Sequence, residues 1–184
     1  MHNVKGFQKE YMMFKNPFKK EPKMIATENY KKWRDVVFST TAEKVGFSSD
    51  EPKKVYGMIM DISMIDQRLN EMFALSTTAF ASGEATFMPS PGGGFVGLGA
   101  DPRVSDVAKS TVTMGQIFLV KAQPVKEYPL PAVGQVAFYF LTTSGLFVTL
   151  DKLSAFQTGP YSQLLNKFGQ IRGVAEKIID QRKK

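Results

Sequence analysis

Residues 54–62, KVYGMIMDI, constrain this chain more than any other stretch. In an extended conformation Tyr56, Met58, Met60 and Ile62 point to one side, and Val55, Gly57 and Ile59 to the other. Both sides are apolar, which is the pattern of a central strand covered on each face. A chain of 184 residues can build such a core in one domain.

The rest of the sequence supplies the neighbours. Thr27 is placed to cap a helix over about 28–45, with Tyr30, Trp33, Val37 and Val45 on one side. MFALSTTAF (72–80) and EATFM (84–88) form a hairpin around Ala81-Ser82-Gly83, and FVGLG (95–99) reads as a further short strand. Asp101-Pro102 opens a second helix, a capping carboxylate followed by proline at the first helical position. Val104, Val107, Ala108, Val112 and Ile117 carry that helix to about 120. QPVKEYPLPAVG, with its prolines, is an extended connector. QVAFYFLTT and LFVTLD are strands joined at Ser144-Gly145, rich in aromatic and β-branched residues. A last helix opens at Pro160 and lines Leu164, Phe168, Ile171, Ala175 and Ile178 on its core face.

The order α-β-β-β-(β)-α-β-β-α predicts an α+β fold: a single antiparallel sheet of about five to six strands flanked by helices. Over residues 28–181 this element order resembles that of profilin-like and roadblock/longin-type modules.

Charge divides the chain into two parts. Residues 1–26 carry six lysines against Glu10 and Glu21, a balance of +4, and residues 160–184 carry six Lys or Arg against Glu176 and Asp180, again +4. With +7 in total, the body sums to −1, so the basicity sits at the ends. We therefore read 1–26 as a basic N-terminal arm and 27–184 as a single domain. In the arm, Val4, Phe7, Tyr11, Phe14 and Phe18 share one helical face, a surface for a protein partner or an acidic membrane. Gly6 and Pro17 interrupt the pattern, and Met12, Met13 and Met24 are alternative starts to Met1. A nucleic-acid reader would show its basic stripe on the folded body, so nucleic acid is not an expected partner.

Several chemistries are excluded by inventory. There is no cysteine, hence no disulfide, thiolate metal site or cysteine nucleophile. His2 is the one histidine and lies in the arm, which removes Ser-His-Asp catalysis and histidine metal sites. No apolar run reaches the ~18–20 residues that span a bilayer, and no secretory leader is visible. A cytoplasmic location is expected.

The glycines of PSPGGGFVGLGADP tempt a nucleotide reading, since Gly92, Gly94 and Gly97 fit G-x-G-x-x-G. However, Phe95–Gly99 separates them from the helix, Asp101 occupies the helix N-terminus, and residues 112–122 contain no acid to hold a ribose. The expectation is a turn, with Gly92, Gly93, Gly94 and Gly97 at most contacting a small ligand, and Gly97 and Gly99 leaving a strand face bare. Asp61, Asp66 and Glu71 form a carboxylate series that is the weak candidate for a hard cation; it reads as a solvated connection after the central strand. Ser76-Thr77-Thr78 and Thr142-Thr143-Ser144 are hydroxyl clusters with no lysine base assigned to them. Phe138, Tyr139, Phe140 and Phe147 read as core.

With no catalytic constellation, no enzyme activity and no cofactor is expected. The expected function is a protein–protein interaction or scaffold domain, as a homodimer or in a larger assembly. The alternative is a small-ligand sensor whose pocket lies between the sheet and the helix after residue 101, rimmed by the glycine loop.

Overall fold

A computed structural model describes residues 22–48 and 50–182 of the chain, with side chains described as far as Ile178. Among them, β1 (Lys23–Met24), β2 (Val55–Asp66), β3 (Glu71–Phe80), β4 (Ala85–Pro89), β5 (Gln123–Val125), β6 (Gln135–Thr142) and β7 (Gly145–Lys152) form one seven-stranded sheet. The helices are α1 (Glu28–Phe38), α2 (Pro102–Phe118), α3 (Leu153–Thr158) and α4 (Ser162–Arg182).

The class is α+β, but the sheet is mixed rather than purely antiparallel. β3, β2, β6, β7 and β5 follow one another across it, each antiparallel to its neighbour. The far edge of β3 is shared: β4 runs antiparallel along residues 75–79, and β1 runs parallel along residues 71–72. Ser90 joins the two. Its amide reaches the Ala74 carbonyl at 2.8 Å, and its hydroxyl accepts the Ala74 amide at 2.9 Å and donates to the Ile25 carbonyl at 2.5 Å. Lys23 and Met24, assigned to the arm by charge, thus belong to the sheet.

β2 is the central strand expected, buried continuously from Val55 to Ser63. The division of its faces differs at its first two residues. Between Val55 and Gly57 the ladder with β6 slips, and the bulge exchanges the sides of Val55 and Tyr56. Val55 packs with Met58, Met60 and Ile62, whereas Tyr56 joins Ile59.

Two layers of unequal size cover the sheet. On one face α2 and α4 pack over Met58, Met60, Phe138 and Phe140, burying Val104, Ala108 and Val112 from α2 with Leu164, Phe168, Ile171 and Ala175 from α4. On the other, α1 and the segment around Tyr128 cover Ile59, Ala137 and Tyr139.

Asp101 caps α2 as expected, accepting the Arg103 amide at 2.9 Å with Pro102 next in line. α1 stops at Phe38, short of Val45, because the Ser39 and Thr40 hydroxyls both donate back to the Val36 carbonyl. A 3₁₀ turn over Glu43–Val45 follows. FVGLG is not a full strand: Phe95 makes a single two-bond bridge to Phe87, and Leu98–Ala100 coils into another 3₁₀ turn. The connector after α2 contributes β5, an edge strand that tolerates Pro124.

Candidate functional site

Buried charge marks the most unusual chemistry in the molecule. Asp61 stands in the middle of β2, fully buried and flanked by Met60 and Ile62. On its α1 face Asp61 meets two partners. The Arg34 guanidinium donates to Oδ2, and the Ser76 hydroxyl, directly across the β2–β3 ladder, donates to Oδ1 at 2.5 Å. Ser76 has one proton and gives it to the carboxylate, so the Tyr30 hydroxyl 2.7 Å away must be the donor to Ser76. Tyr30, Arg34 and Val37 are the buried stripe of α1, at spacings of four and three.

A lid of aromatic rings closes this chain of bonds. Arg34 also donates to the Tyr128 carbonyl at 2.7 Å, and its guanidinium lies 4.9 Å from the Phe38 ring and 5.6 Å from that of Tyr128. Those two rings stack at 4.0 Å. Burial pushes the Asp61 carboxyl above its ordinary value, against the pull of Arg34 and Ser76. Burial and the neighbouring Asp61 push the Tyr30 and Tyr139 hydroxyls up to about 12. Among the described residues, Arg34 Nε and the Ser63 and Thr78 hydroxyls on this face have no hydrogen-bond partner. The arrangement ties α1 to the sheet; covered by α1 and Tyr128, its groups face one another rather than an opening.

The expected carboxylate series is therefore not one site. Asp61 lies five residues up the strand from Asp66, about 17 Å at strand spacing. Asp66 builds the β2–β3 turn, accepting the amides of Arg68 at 2.9 Å and Leu69 at 3.3 Å. Glu71 pairs in register with Asp66 on one side and Lys23 on the other. Among the described residues no three His, Cys, Asp or Glu side chains gather where they could hold a metal.

The glycine loop is occupied by its own backbone. Gly92, Gly93 and Gly97 have positive φ, at 110°, 80° and 72°. Gly94 presses against β4: a Cβ there would lie 2.7 Å from the Phe87 carbonyl oxygen. Gly99 does the same at the β3–β4 turn, 2.4 Å from the Gly83 oxygen. Gly97 differs from expectation, since a Cβ there would meet nothing within 4 Å; its role is the left-handed turn before Leu98.

The hydroxyl clusters are likewise dispersed. Thr77 and Thr78 point to opposite faces of β3, and Thr142–Ser144 stitch a turn, where Thr143 and Ser144 accept the backbone amides of Lys54 and Lys53. Phe138, Tyr139, Phe140 and Phe147 are buried in the two cores. His2, Val4, Phe7, Tyr11, Phe14 and Phe18 lie outside the described residues.

Grooves open beside α4, at Met60 and Ile62, and beside α3, at residues 132–135, and two more flank the outside of α2. Ile117 is 71% exposed and Val120, one turn on, 84%. Ile117 and Thr113 form a ridge between two grooves. The first, about 490 Å³, runs between α2 and the sheet end and is floored by Phe47, Val55, Ala81 and Val112, with Lys54 and Lys109 beside it. The second, about 390 Å³, is lined by Ser110, Met114, Phe118 and, from α4, Gln163. None of the loop glycines 92–97 lines either groove. In the sequence Ile117 follows Val104, Val107, Ala108 and Val112 and reads as core, whereas in the structure it faces outward. Its spacing of four from Thr113, a polar position, was the contrary signal.

None of the described helices is long and apolar enough to cross a membrane. No protein-family model, curated protein or solved structure matches this chain.

Proposed function

We propose that this protein is a non-enzymatic interaction module that docks a protein partner on the outer face of α2. The observation that carries the reading is the Ile117–Thr113 ridge between two apolar grooves. Isolated exposed apolar side chains are ordinary on any surface. Here exposed Ile117 and Val120 are contiguous with recessed Phe118 and Met114, giving the knob and pockets of a packing surface. The buried Tyr30, Arg34 and Asp61, by contrast, face one another under α1 and tie that helix to the sheet.

The test is comparative capture. Wild-type protein and the Ile117→Glu variant are used as bait, with Val36→Glu as control, since Val36 is a similarly exposed apolar residue on α1. Partner recovery is expected to fall about tenfold or more with Ile117→Glu and to persist with Val36→Glu. Equal recovery by all three baits would contradict the reading.

A second reading, a small-ligand sensor, is favoured by the larger groove, whose apolar floor beside Lys54 and Lys109 suits an amphipathic anion. A thermal shift by a medium-chain fatty carboxylate, lost in Lys54→Ala/Lys109→Ala, would support it; no shift would remove it.

A further inference from the structure

Resting on the reading of α2 as the docking face, the geometry points to a second copy of this chain as the occupant, with the two α2 helices packed antiparallel about a two-fold axis beside Thr113 and Met114. A two-fold interface must be self-complementary, each surface carrying both the knob and the hole. The outer stripe of α2 has that character. Its large exposed apolar side chain is Ile117, and two turns earlier stands Ser110, lining the groove with Met114 and Phe118.

Seating Ile117 of one copy over Ser110 of the other fixes the register, and the register fixes the charges. Residues 3.5 positions either side of the axis meet, so those 7.5 positions away meet as well. These are Asp106 in α2 and Lys121 in the 3₁₀ turn that continues it over Leu119–Lys121, of opposite sign and both exposed. Lys109 falls opposite Phe118, where its stem covers the ring. Sliding the pair by three residues, to set Ile117 over Thr113, would bring Lys109 against Lys121 and replace attraction with repulsion. The chain's own N-terminal residues are a poorer occupant, because their excess of lysines would approach Lys54 and Lys109 beside the neighbouring groove.

Sedimentation equilibrium of the full chain up to about 100 μM, where weak homodimers populate, tests this pairing. A dimer is expected, weakened about tenfold or more by Ile117→Glu and about fivefold or more by Asp106→Lys or Lys121→Asp, since symmetry places each charge pair twice. The double variant Asp106→Lys/Lys121→Asp is expected to restore it. Far-ultraviolet circular dichroism confirms that each variant is folded. A monomer throughout, or a dimer indifferent to these changes, overturns the proposal. A monomer whose capture of another protein is still lost with Ile117→Glu overturns the self-pairing alone and leaves the docking reading standing.

Discussion

Arg34 and Asp61 show how a single buried charge dictates its surroundings. Two ions removed from water must hold each other, and breaking such a pair leaves an uncompensated charge. Arg34→Ala is expected to cost about 3–5 kcal/mol by that mechanism. Replacing both, as Arg34→Met/Asp61→Leu, should cost less than Arg34→Ala alone, a non-additivity that denaturant titration of the three proteins measures. Tyr30→Phe removes only the outermost bond of the network, because Ser76 still donates to Asp61, and should cost about 1 kcal/mol. The tyrosines give a pH signature. Tyr30 and Tyr139 ionise near 12 instead of 10. A group held above its ordinary value favours the folded state below that value, so this stabilisation is complete below pH 10 and is lost as pH rises towards 12. Absorbance at 295 nm should show Tyr30 and Tyr139 titrating only at the alkaline end, with unfolding close behind; ionisation of both near pH 10 would show the Tyr30 site to be open. Asp61 could have been found in the sequence. A carboxylate inside a strand apolar on both faces requires a partner, and Arg34 stands on the same helical stripe as Tyr30 and Val37. The cation came from a helix 27 positions away, a distance no local pattern spans.

Helices and strands were legible where their signals are local. The α2 cap, the β3–β4 hairpin and the core stripe of α4 follow from caps, turns and periodicity, and the structure contains all three. What was not legible depends on long-range pairing. β1 is a two-residue strand whose only reason to exist is the free edge of β3, and β5 is held by β7 rather than by its own propensity. The β2 bulge lies beside Gly57, where a Cβ would lie 2.8 Å from the Phe80 ring. The same contrast applies to glycines on helices. Glycine to alanine usually stabilises a helix interior by about 0.5–1 kcal/mol. Gly173→Ala in α4, with nothing within 4 Å of the new Cβ, should follow that rule. Gly115→Ala in α2 should reverse it, because the Cβ would meet the Met58 sulfur at 2.2 Å and Met58 is fully enclosed. Overpacking there should cost about 1–3 kcal/mol. Thermal melts of the two variants moving in the same direction would show that α2 does not bear on β2 as described.

At the scale of the whole molecule, the two faces of the sheet differ in what they bury. The face under α1 holds its polar groups together around Asp61; the opposite face builds the large core and presents the back of α2 to the outside. The α+β class could be read from element order, whereas the exposed Ile117 ridge could not, because exposure of Ile117 depends on how α2 rolls against β2 and α4. The central claim proposed for this ridge is that a second copy of the chain packs on it, and the absence of cysteine allows a direct measurement. Thr113→Cys introduces a single thiol on the ridge, and Val36→Cys a single thiol on α1. Under mild oxidation, Thr113→Cys is predicted to form a disulfide-linked dimer quickly and in high yield, and Val36→Cys only slowly. Equal, slow cross-linking of both variants would contradict the account of α2 as the surface on which this protein meets its own kind.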